Sequence, residues 1–99
     1  MTTNPSQLPD IFGYIDLLDR FIAHQLAAPA FDASYLQMVK SEDRALGEPV
    51  YPVLQELFED ADAYVERPEL RTEPEDLDDE QLRECALRAR QALKEIGYS

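Results

Sequence analysis

Apolar residues recur at three- and four-residue spacing in four separate stretches of the chain, the signature of helices that bury one face. The sharpest stretch is Val53–Arg71. There Leu54, Leu57, Phe58, Ala61, Tyr64 and Val65 form the apolar stripe, and Glu56, Glu59, Asp60, Asp62 and Glu66 fall between them. Pro49 and Pro52 suit a first helical turn, whose amides lack intrahelical partners, and Pro68 ends the segment because it has no amide to donate. The pattern predicts a helix over 50–66.

Upstream, Asp10 is a candidate cap for Ile11, Ile15, Leu18, Ile22 and Leu26, a stripe widened by Tyr14, Leu17 and Phe21. Pro29 disfavours helical geometry in Ala28, which sets the expected helix at 10–28. A second, 32–46, is expected to open after Phe31, with Asp32 or Ser34 as cap. It would bury Tyr35, Leu36, Val39, Ala45 and Leu46, leave Lys40, Glu42, Asp43 and Arg44 in solvent, and stop at Gly47. The last, 79–96, follows Asp78 and Gln81 at capping-box spacing, carries Leu82, Ala86, Ala89, Leu93 and Ile96, and closes at Gly97. Arg83, Arg88, Arg90 and Lys94 suit the negative end of its dipole. No segment alternates with period two. Four helices with short links predict an all-α, antiparallel four-helix bundle in one domain spanning 1–99. Residues 1–9 are expected to be loosely ordered, and Glu69–Leu77 to form an irregular connector.

Charge changes the picture more than length does. A chain of 99 residues supports one core and buries roughly 60–70% of its unfolded surface. Its net charge is −12, and the distribution is uneven: Glu56–Glu80 holds twelve Asp and Glu against Arg67 and Arg71, leaving −2 for everything else. Self-repulsion on that scale would be relieved by a basic partner, which the charge would also steer to the site. Nucleic acid and anionic membranes would be repelled. One cysteine excludes an internal disulfide, the N-terminus lacks a signal-peptide pattern, and no run approaches the roughly 18 apolar residues of a membrane span. A soluble cytoplasmic protein is expected.

Catalytic chemistry is sparse. His24, the only histidine, lies in an amphipathic stretch and reads as a partly exposed packing residue. Cys85 borders the apolar stripe of the last helix and reads as a small buried hydrophobe, among acidic neighbours that disfavour thiolate. The three glycines form no phosphate loop. Asp60, Asp62 and Tyr64 have the spacing of the first calcium-loop ligands, but the required glycine would fall at Val65 and the closing glutamate at Arg71. No cofactor, metal site or catalytic residue is expected.

The run LxxLFxxxDAYxxxPELR (Leu54, Leu57, Phe58, Asp62, Ala63, Tyr64, Pro68, Glu69, Leu70, Arg71) resembles the colicin D-type bacterial immunity proteins. LDDEQLR from Leu77 to Arg83, and Phe31, Tyr35, Leu36 and Lys40 in an FxxxYLxxxK pattern, extend the likeness from about Ile11 to Ile96. The resemblance implies a small four-helix bundle that neutralises a basic toxin nuclease, of the bacteriocin or contact-dependent growth inhibition type. For the colicin D type it implies a tRNA-cleaving enzyme whose cleft is covered by carboxylates, with a monomer acting in a 1:1 complex.

Within the motif, Leu54, Leu57 and Phe58 read as core. Tyr64 reads either as core with its hydroxyl at the rim or as an interface anchor. Arg71 is expected to pair with a nearby carboxylate such as Asp62 and to shape the connector. The toxin-facing candidates are Glu56, Glu59, Asp60, Asp62, Tyr64, Glu66, Glu69, Arg71, Glu73 and Glu75. An acidic adaptor or nucleic-acid mimic that inhibits another basic protein is the rival reading, and a small enzyme subunit a third. A toxin gene immediately upstream would separate the first two.

Overall fold

The computed structural model describes residues 8–74 and 76–98. The expectations for residues 1–7 and for Glu75 lie outside it. Four helices carry the fold: α1 (Phe12–Ile22), α2 (Ala28–Ser41), α3 (Val50–Ala63) and α4 (Asp79–Ile96), with a 3-10 turn at Pro68–Leu70. Consecutive helices pack on one another, α4 returns against α1, and α2 also touches α4 across the bundle. The architecture is an all-α four-helix bundle. Among the described residues there is no strand, only one isolated parallel bridge between Tyr64 and Leu77.

The core is wholly apolar among the described residues. Phe21 stacks on Phe31 with centroids 4.3 Å apart, Phe31 on Tyr35 at 5.6 Å, and Tyr14 meets Tyr35 edge-on at 5.9 Å, so one aromatic column joins α1 to α2. Tyr35 is fully buried, and its hydroxyl donates to the Leu54 carbonyl at 2.7 Å, which satisfies the polar end against α3. Arg83 lies over the Phe21 ring at 4.7 Å and donates to the Phe21 carbonyl, and Arg90 reaches Asp19 at 2.8 Å. These two arginines bind α4 to α1.

Helix boundaries depart from the sequence expectation in three of the four helices. The first helix stops at Ile22, six residues early. His24 takes a left-handed φ of +63°, its amide bonds to Phe21, and the Gln25 amide reaches back to Arg20 at 2.8 Å. That pair of reverse bonds is a Schellman motif, here with histidine where glycine is usual. His24 is therefore an exposed C-terminal cap and not a packing residue within the helix. The inner face of α1 is also rotated, with Tyr14, Leu18 and Phe21 buried and Ile15 and Ile22 at its margin.

The second helix starts at Ala28, with Ala27 as N-cap and Pro29 inside the first turn, where a missing amide costs nothing. Asp32 and Ser34 are thus helical residues and not caps. It ends at Ser41 instead of 46, because Glu42 leaves the helix to accept from the Tyr14 hydroxyl and from Arg44, which also donates to the Asp10 carbonyl. Those donors, Arg44 foremost, hold the Glu42 carboxyl down to about 2. Glu42 and Arg44 therefore serve a tie between α1 and α2, and Ala45 is exposed instead of buried.

The third helix ends at Ala63, not Glu66, and Pro68 is not what stops it. Tyr64 turns into extended geometry (φ −70°, ψ 132°), and Leu77 bonds to the residues on either side of it: the Leu77 amide donates to the Ala63 carbonyl and the Val65 amide donates to the Leu77 carbonyl, 3.0 Å each. Only α4 begins and ends where expected, its Asp78–Gln81 capping box complete in both directions and Gly97 (φ +141°) closing it. The N-cap of α1 is Ile11 and not Asp10, although the Asp10 carboxylate does accept the first-turn amide of Phe12 at 3.0 Å.

Candidate functional site

The candidate surface consists of the outer face of α3 and the connector that follows. On α3, Leu54, Leu57 and Ala61 point into the core, which obliges Glu56, Glu59 and Asp62 to face solvent. Phe58, expected in the core, is only half-buried at its edge. The carboxylates do not form one flat patch. Glu56 and Asp60 lean toward α4, where they line a groove of about 250 Å³ together with Val53, Leu57, Cys85 and Arg88. Asp62 leans toward α2 and the half-buried Asp32. Burial first, and Asp62 second, push the Asp32 carboxyl up to about 6, and its Oδ1 has no hydrogen-bond partner among the described residues.

The groove is not wholly acidic: Arg88 shares it, its guanidinium donating to Cys85 Sγ at 3.3 Å. Cys85 is buried as expected. Desolvation and then Asp60 raise its thiol to about 11, so it is a poor nucleophile at neutral pH.

The connector is more ordered than its composition predicts. Tyr64 is core with its hydroxyl at the rim, donating to Asp79 Oδ1 at 2.6 Å. Arg71 does not pair with Asp62. Its Nε donates to the Val65 carbonyl at 2.7 Å and its Nη2 to the Glu66 carbonyl at 3.0 Å, with Asp79 3.7 Å away. Asp76 Oδ2 accepts the amides of Thr72 and Glu73, each at 3.0 Å. Three side chains thus fold the loop inward, and Glu66, Glu69, Leu70 and Glu73 are left exposed. Arg67 and Glu69 approach at 3.7 Å, both largely in water. No ion pair among the described residues engages Glu56, Glu59, Asp60, Asp62, Glu66 or Glu73.

Sequence reasoning thus located Tyr64 and Arg71 but not the Asp79 that receives them, nor Asp32 and Arg88 beside the carboxylates. Asp79 carried a signal in its place beside the capping box. Arg88 and Asp32 carried none, because only the packing of α4 and α2 against α3 brings them in.

The fold and this surface define a small, acidic, all-helical protein that presents an outward face and a locked loop. The chain belongs to the bacterial self-protective colicin-like immunity family, which matches residues 10–96. It is thereby an immunity protein, the type that neutralises a toxin. No curated protein and no solved structure matches the chain significantly. Among the described residues no helix is long and apolar enough to cross a membrane.

Proposed function

We propose that this immunity protein silences a basic toxin nuclease, a tRNA-cleaving ribonuclease, by laying the carboxylates of Glu56–Glu75 over its substrate cleft. The observation that carries the reading is that Glu56, Glu59, Asp60, Asp62, Glu66 and Glu73, on α3 and the connector, form no ion pair among the described residues. A nuclease must present Lys and Arg to hold phosphates, and the same cations are met by carboxylates held on a helix and a pinned loop. Tyr64 and Arg71 act from behind, by shaping the loop. The protein works without catalysis or cofactor, as a monomer in a 1:1 complex in the cytoplasm of the cell that makes the toxin.

The test is a double charge reversal, Glu59→Lys with Glu66→Lys, measured against the purified ribonuclease domain of the cognate toxin. Both side chains are exposed, so the bundle stays folded. Binding weakens by about 2–5 kcal/mol, because toxin cations are left buried and unpaired. Wild-type association slows steeply as salt rises and the Debye length falls to about 8 Å near 0.15 M. The control is Arg20→Glu, on the α1–α2 side beside Asp16, which binds as wild type. Wild-type affinity in the double reversal refutes the reading.

A further inference from the structure

We propose that Leu70 is an apolar anchor for the toxin, inserted into a shallow pocket walled by the aliphatic stems of the toxin's own lysines and arginines; this rests on the toxin-facing reading of the same loop. Four large hydrophobic residues are exposed among the described ones, and three of them, Phe12, Tyr51 and Leu87, belong to α1, α3 and α4 and not to the connector. Leu70 alone sits in it, 56% exposed, at the end of the 3-10 turn. Nothing in the fold requires a leucine there, since the side chain contributes nothing to the core.

The turn is built to hold it out. Pro68 fixes the entry angle, the Leu70 amide bonds to Arg67 at 2.9 Å, and the Arg71 amide bonds to Pro68 at 3.1 Å. The Arg71 guanidinium then clamps the loop from inside through Val65 and Glu66. A loop whose backbone is already held in place forfeits little entropy when it docks. Glu66, Glu69 and Glu73 flank Leu70 along the chain, all exposed. The partner pocket follows from these charges: carboxylates on both sides of the leucine select a cationic rim, and the long methylene stems of Lys and Arg supply apolar walls beneath their charged ends.

The experiment compares Leu70→Ala and Leu70→Met with wild type by titration calorimetry against the purified ribonuclease domain of the cognate toxin, with melting temperatures alongside. We expect Leu70→Ala to bind about fivefold or more weakly, with unchanged melting temperature and salt dependence, and Leu70→Met to stay within about threefold. A smaller loss in Leu70→Ala overturns the anchor. If the Glu59, Glu66 double reversal still weakens binding in that case, the anchor fails and the acidic face stands; if wild type does not bind the domain, both fail.

Discussion

Tyr64 and Asp79 stand 15 positions apart in the chain and share a hydrogen bond of 2.6 Å, the phenol donating to the carboxylate. The bond joins the residue that leaves α3 to the first residue of α4, so the connector is anchored at both mouths. Burial and Asp79 together hold the Tyr64 hydroxyl protonated far above its ordinary range. Removing that hydroxyl with Tyr64→Phe keeps the packed ring and deletes only the tie. Urea unfolding is expected to show a loss of about 1 kcal/mol. Amide exchange should quicken in the connector before it quickens in α1 or α2.

Asp32 gives the molecule a pH dependence of definite sign. Its folded pKa is raised from 3.8 to about 6, so the folded state binds the proton more tightly than the unfolded chain. The destabilisation is absent below about pH 4, grows between pH 4 and 6, and is complete above that. Asp32→Asn is therefore expected to raise stability at pH 7.5 by about 1 kcal/mol, discounted for the solvent that reaches this partly exposed group. At pH 3.5 the same substitution should give no gain, and a pair of thermal melts at the two values checks it.

Aromatic truncation should separate core from margin. Phe31 is fully buried in the stack with Phe21 and Tyr35, and Phe31→Ala is expected to cost about 3–5 kcal/mol. Phe58 shares helical spacing with Leu54 and Leu57 but is half-buried, and its truncation should cost less than half as much. Denaturant titration of the two variants decides the order.

The Phe58 case shows why sequence reading went as far as it did. Period and caps are local, and α4, with a complete capping box and a glycine stop, was legible at both ends. The four-helix architecture and the outward set on α3 were legible for the same reason. The other ends were decided by tertiary bonds: Glu42 was drawn out of α2 by Tyr14 and Arg44, and Tyr64 out of α3 by Leu77. The rotation of the α1 face toward Tyr14 and Phe21 likewise follows from aromatic stacking across two helices. Arg71 was recognised as a loop former, but its acceptors are main-chain carbonyls, which no residue pattern distinguishes.

His24 offers a gain instead of a loss. A side chain at φ +63° carries a steric penalty that glycine lacks, and both reverse bonds of the motif use backbone alone. His24→Gly is expected to stabilise the bundle by up to about 1 kcal/mol, read as a rise in melting temperature. A fall would mean that the imidazole supports the cap in a way its exposure does not reveal.

The inward bracing of the connector also bears on how such a protein diversifies. Its shape is maintained by Tyr64, Arg71, Asp76 and Asp79 and by backbone bonds at Val65 and Leu77. The side chains at 66, 69, 70 and 73 are spectators to that bracing. Exchanging them alters what the loop displays at almost no expense in foldability. On the toxin-facing reading proposed above, recognition can drift there while architecture stays put, and two chains sharing every brace would fold alike and present different loops.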